Sequence, residues 1–149
     1  MSKPPRRRYW DAACFIAWLG DEPERVPSLR PILREAEAGN LVIVTSVLTL
    51  TEVLWNRRRE VPSAEEAEEI EAFFEHEYIL LVNLDRDLAS RARRIIWERG
   101  VRPNDAVHVA SALEAEAEHF DTFDDELIMR AASYPIQVGY PNVQTSLFD

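Results

Sequence analysis

The sequence predicts an α/β fold: a central, mostly parallel sheet covered on both faces by helices, giving a three-layer α/β/α sandwich. Two observations carry this. Leu41–Val44 and Ile79–Val82 are unbroken apolar runs, the pattern of strands buried on both faces. Strand and helix signals also alternate along the chain, as the crossovers of a parallel sheet require. The 149 residues suffice for one domain. Without a linker or repeat to divide them, residues 1–149 are read as a single unit with a core over about 8–138 and tails at 1–7 and 140–149.

The elements follow in order. Arg8 to Ala13 reads as a short first strand that ends at Asp11. Residues 27–38 form a helix, with Pro31 tolerated in its first turn and Gly39-Asn40 closing it. After the Leu41–Val44 strand, Ser46 is expected to cap a helix carrying Val47, Leu50, Val53 and Leu54 on one face, with Glu52 among them, and running on to Arg57–Arg59. Ser63-Ala-Glu-Glu66 is a capping box that opens an acidic helix to about Phe74. Ile79–Val82 is the next strand, and Asp85 caps a basic helix ending at Gly100. Pro103-Asn104-Asp105 starts a helix, His119–Thr122 is a brief strand, Asp124 caps a helix to about Ala132, and Ile136–Val138 is a last strand.

Composition excludes several classes. With 17 Lys+Arg against 27 Asp+Glu the net charge is −10, the wrong sign for a general nucleic-acid coat. Acid concentrates in residues 61–80 and 105–149, whereas basic clusters stand at Arg6–Arg8, Arg57–Arg59 and Arg86–Arg102. Cys14 is the single cysteine, so neither an intramolecular disulfide nor a cysteine zinc cluster forms. No apolar run approaches the ~20 residues that span a bilayer, and no hydrophobic region follows the basic N-terminus; the expectation is a cytoplasmic protein without a membrane partner.

In an open parallel sheet, chemistry gathers at the carboxyl ends of the strands. Asp11 ends a strand, Asp105 starts a helix and Asp124 lies between a strand and a helix; Glu52 follows the second strand on a face shared with apolar Leu48 and Val53. Each has an ordinary explanation alone, as a strand terminator, a solvated helix residue or a cap. Jointly they fall at one sheet edge. Carboxylates gathered there repel unless a cation lies among them, and their hard oxygens select Mg²⁺ or Mn²⁺.

Four segments then carry a resemblance: Tyr-Trp-Asp11-Ala-Ala-Cys-Phe-Ile, Thr-Ser-Val-Leu-Thr-Leu-Thr-Glu52-Val, Asn-Asp105-Ala-Val-His-Val-Ala-Ser-Ala-Leu and Asp-Thr122-Phe-Asp124. In this order, over about Arg8–Val138, the chain resembles PIN-domain ribonucleases, in particular the toxins of prokaryotic VapBC-type toxin–antitoxin pairs. The resemblance implies a metal-dependent endoribonuclease that hydrolyses RNA phosphodiester bonds, the toxin of a type II pair, acting as a homodimer and held by a cognate VapB-type antitoxin. It implies that Asp11, Glu52, Asp105 and Asp124 form the acidic Mg²⁺ or Mn²⁺ site, with Thr122 and Ser46 supporting it. Asp11, Asp105 and Asp124 take ligand roles; Glu52 stands open between ligand and orienter of the attacking water.

The chain departs from the family pattern at two places. Asp125 and Glu126 follow Asp124 where a basic residue is frequent, and Asp121 stands at an apolar strand position. Asp121, Asp124 and Asp125 therefore compete for the fourth acidic position, and Asp124 is taken for its spacing to Thr122. The surplus acid keeps an alternative open, a non-catalytic PIN-like binding module with a structural metal or an acidic partner-binding edge. A metal-dependent DNase or phosphatase on the same scaffold is a third reading. Elsewhere, His108 is expected to be a packed or hydrogen-bonded helix residue, Cys14 a small buried side chain, and the four tryptophans core or interface packing. Arg57, Arg58 and Arg59 are read either as an RNA or antitoxin contact or as a solubilising helix end favoured by the dipole.

Overall fold

The computed structural model describes residues 4–53, 60–132 and 134–142. The arginine triplet Arg57–Arg59 lies outside the described residues, as does the tail beyond Asn142. Among the described residues five strands, β1 (Arg6–Trp10), β2 (Leu41–Ser46), β3 (Ile79–Val82), β4 (His119–Asp121) and β5 (Gln137–Gly139), pair in parallel in the order β3-β2-β1-β4-β5. The chain builds outward from β1 through β2 to β3, crosses back, and builds the other way through β4 to β5. The order thus reverses between β1 and β4, which opens a crevice at their carboxyl ends.

Among the described residues seven helices clothe the sheet: α1 (Ala12–Leu19), α2 (Val26–Glu37), α3 (Thr49–Glu52), α4 (Ala64–Phe74), α5 (Arg86–Arg99), α6 (Pro103–Glu114) and α7 (Asp125–Arg130). Strand alternation sorts the core into two halves. Tyr9, Val44 and Phe120 pack with Leu88, Ile95, Val109 and Leu127 of α5, α6 and α7. Trp10, Leu41, Ile43 and Ile79 pack with Phe15, Leu29, Ile32 and Phe74 of α1, α2 and α4. Phe15 anchors the second half, its ring centroid 5.2 Å from that of Trp10 and 4.9 Å from that of Phe74. The three-layer α/β/α sandwich predicted from the apolar runs is the observed fold, and its sheet is wholly parallel.

Several local expectations are corrected. β1 stops at Trp10, and Asp11 accepts the Cys14 amide as N-cap of α1, a helix the sequence reading did not assign. The run Ala12–Leu19 is apolar almost throughout, so it lacks the one-sided periodicity that marks a surface helix. Ser46 does not cap a helix. It remains in β2, its hydroxyl accepts the Leu48 amide at 3.0 Å, and α3 begins three residues later as a single turn over Thr49–Glu52. The capping box at Ser63 and Glu66, the Asp85 cap and the left-handed Gly100 that ends α5 are as the sequence predicts.

Candidate active site

Asp11 enters the crevice because β1 ends there and α1 begins. Its Oδ1 accepts the Cys14 amide at 3.3 Å, and its Oδ2 accepts the Thr122 hydroxyl at 2.6 Å. Thr122 follows β4, and its hydroxyl oxygen in turn accepts the Asp124 amide at 3.1 Å. One threonine hydroxyl therefore ties the end of β1 to the turn that launches α7. Burial lifts the Asp11 carboxyl above its usual range, against the Thr122 hydrogen bond and the nearby His108, which favour the charged form.

Asp105 projects from the first turn of α6, where Pro103 sits without need of an amide partner. Its carboxyl is also raised: burial is the main cause, Arg102 opposes it, and the charges of Asp124 and Glu52 add to it. Arg102 bridges two acids, its Nε 3.5 Å from Asp105 Oδ2 and its terminal nitrogen 3.2 Å from Asp124 Oδ2. The other oxygen of Asp124 caps α7 by accepting the amides of Glu126 and Leu127.

Glu52 comes from α3, which the Thr45 and Thr49 hydroxyls pin to the end of β1: they lie 2.6 Å apart, and Thr45 donates to the Trp10 carbonyl at 2.7 Å. Glu52 Oε1 meets His108 Nε2 at 2.7 Å, and Oε2 accepts from Asn104 Nδ2 at 3.5 Å. His108 is buried, and its Nδ1 lies 2.6 Å from the Tyr9 hydroxyl, which also accepts the Ser46 amide at 3.1 Å. The expectation for His108 holds, yet its partner is one of the candidate acids. Neither Tyr9 nor Arg102 was singled out from the sequence. The signal for Arg102 and His108 was present, since both stand three residues from Asp105, one on each side.

The three contenders for the fourth acidic position have separate fates. Asp121 lies fully buried on β4 as the counter-ion of Arg8, whose Nε donates at 3.0 Å and whose terminal nitrogen forms a second, close bond. Trp10 Nε1 also donates to it at 3.0 Å, and His119 Nδ1 stands at 2.7 Å. Asp125 accepts the Tyr140 hydroxyl. Asp124 joins the network of Thr122, Arg102 and Asp105. Among the described residues Ser46 makes no hydrogen bond to the four carboxylates; it shapes the β2–α3 turn and donates its amide to Tyr9.

By type and place the donor set suits a hard divalent cation: carboxylate oxygens, two of them lifted by desolvation, around a crevice where Arg102 and His108 already supply compensating positive or proton-bearing groups. As oriented, however, no three His, Cys, Asp or Glu side chains among the described residues converge to hold one ion. Asp105 and Asp124 turn to Arg102, and Glu52 turns to His108.

A parallel sheet between two layers of helices, with carboxylates near its switch point, defines an α/β protein of the three-layer class. The chain belongs to the PIN domain family, whose model matches residues 8–132. No curated protein matches it. Among solved structures it is similar in fold to VapC20 of Mycobacterium tuberculosis, a sarcin-ricin loop cleaving toxin, at 21% identity and TM-score 0.64, over 85% of this chain and 95% of that one. A toxin–antitoxin complex from Klebsiella pneumoniae is similar at 20% identity and TM-score 0.61, over 90% and 97%. VapBC2 from Rickettsia felis, bound to a DNA fragment from its promoter, is similar at 12% identity and TM-score 0.63, over 90% and 98%. At these identities the likeness is one of fold. No helix among the described residues is long and apolar enough to cross a membrane.

Proposed function

We propose that this protein is a metal-dependent endoribonuclease, the toxin of a type II toxin–antitoxin pair, with Asp11, Glu52, Asp105 and Asp124 as its acidic centre. What supports the reading is the linkage of the four acids near the β1/β4 switch point: Thr122 ties Asp11 to the Asp124 turn, Arg102 pairs Asp124 with Asp105, and the charges of Asp124 and Glu52 bear on the desolvated Asp105 carboxyl. A protein tolerates such an arrangement where charge at that point does chemistry. Mg²⁺ or Mn²⁺ bound there would lower the pKa of water and neutralise charge developing on a phosphoryl group. Asp11, Asp105 and Asp124 would hold the ion. Thr122 fixes Asp11 relative to the Asp124 turn, and His108 fixes Glu52 for a ligand or water-orienting role.

The toxin role is supported by the fold shared with VapC20 and with two toxin–antitoxin assemblies. A VapB-type antitoxin as partner, a homodimeric state and a cytoplasmic location belong to the same proposal. A second reading has its own support: because Asp105 and Asp124 are engaged by Arg102, the edge suits a non-catalytic partner-binding module. Cleavage of an RNA panel by wild type and Asp11→Asn, each with Mg²⁺, Mn²⁺ or EDTA, separates the two. Metal-dependent cleavage lost in the variant supports the enzyme. Equal residual cleavage by both proteins points to a contaminant and favours the binding module, and cleavage of DNA in place of RNA moves the substrate class.

A further inference from the structure

We propose that Arg102 is an exchangeable counter-cation of the acidic edge: it neutralises Asp105 and Asp124 in the metal-free chain, a divalent ion displaces it, and its guanidinium then serves the substrate phosphate. The proposal rests on the metal-dependent reading of the site. Its grounds are geometric. Among the described residues, Arg102 alone pairs with two of the four candidate acids, at 3.5 Å from Asp105 and 3.2 Å from Asp124. Its main chain is fixed: Gly100 ends α5 in the left-handed conformation, the Arg102 carbonyl accepts the Ala106 amide at 2.9 Å, and Pro103 holds Arg102 extended at the start of α6. Its side chain is 72% exposed, which leaves the guanidinium room to swing on that base.

Among the described residues, His108 and Arg130 are held differently. His108 is buried between Tyr9 and Glu52, and Arg130, which lines the same small cleft as Arg102, Asp105 and Asp124, pairs with Glu126 at 3.0 Å and with neither of those acids. A divalent ion at Asp105 and Asp124 would face the guanidinium at close range, and like charges at such separations exclude each other. Released, the planar fork of arginine matches two oxygens of a phosphate, and it would stand beside the site where the scissile group binds.

The test uses the full chain and reads binding without turnover. Mn²⁺ affinity is measured by electron paramagnetic resonance, and affinity for a cleavage-resistant 2′-O-methyl oligoribonucleotide is measured by fluorescence anisotropy with Mn²⁺ present. Arg102→Gln is expected to bind Mn²⁺ about three- to tenfold tighter, the scale of one partly exposed ion pair, while its affinity for the oligonucleotide falls. Arg130→Gln, which removes the same charge nearby without touching either acid, is expected to change Mn²⁺ affinity less. Mn²⁺ binding by Arg102→Gln no tighter than wild type, an equal gain in Arg130→Gln, or undiminished oligonucleotide binding would each overturn the proposal. If wild type binds no Mn²⁺, or Asp105→Asn binds it as wild type does, the metal reading itself falls, a failure distinct from these three.

Discussion

His108 holds Glu52 from within the protein, with Nε2 2.7 Å from Oε1 while Nδ1 faces the Tyr9 hydroxyl at 2.6 Å. The Tyr9 oxygen accepts the Ser46 amide; with the Tyr9 proton directed at Nδ1, the Nε2–H tautomer of His108 donates to Glu52. This directional chain crosses from β2 through β1 and α6 to α3, and it sets the rotamer of an acid carried on a single helical turn.

His108→Ala is therefore expected to lower kcat for RNA cleavage by about 10- to 100-fold, as loss of a buried support for an acidic site does, with little change in KM. His108→Gln, whose amide restores a donor near the Nε2 position, is expected to recover part of that loss. Equal kcat values for the two variants would show that His108 acts through packing and not through its hydrogen bond to Glu52.

The Arg8–Asp121 pair is fully buried and belongs to the stability of the sheet. Arg8→Met strands the Asp121 charge among Trp10, Cys14 and His119, and urea unfolding is expected to register a loss of about 3–5 kcal/mol. Arg8→Met combined with Asp121→Leu removes both charges and is expected to recover much of the loss. A double variant as unstable as the single one would contradict the assignment of Asp121 as a structural counter-ion.

Asp105 carries a pH signature. Its folded-state carboxyl lies above the ordinary 3.8, chiefly through burial, so the folded chain takes up this proton before the unfolded chain does. The ionised group therefore costs stability at neutral pH, and the cost fades as pH falls through the raised value. In EDTA, Asp105→Asn is expected to have a higher Tm than wild type at pH 7, and the gap is expected to narrow as pH falls towards 4. A variant less stable than wild type at pH 7 would mean that the Arg102 contact outweighs desolvation.

The legible and illegible parts of this chain divide on physical lines. Leu41–Val44 and Ile79–Val82 gave away the parallel sheet because strands buried on both faces need no alternation, and Ser63, Asp85 and Gly100 marked helix ends because caps satisfy local amides. Helix α1 was hidden because a helix covered on most sides loses its polar stripe. The Ser46 cap was misplaced because a Ser hydroxyl satisfies a turn as readily as a helix start, and only the tertiary pinning of Thr45 to Trp10 decides between them. At the candidate site, the acids were readable from their place at strand ends. Their engagement by Arg102 and His108 was not, because it depends on how Arg102 at the start of α6 meets Asp124 ahead of α7 and how His108 within α6 meets Glu52 of α3.

The most direct measurement is a crystal of the protein grown with Mn²⁺, its ion located by anomalous scattering. The account predicts one or two peaks bounded by the carboxylates of Asp11, Asp105 and Asp124, with Arg102 turned away from them. Manganese bound elsewhere on the surface, with Arg102 still seated between Asp105 and Asp124, would contradict it.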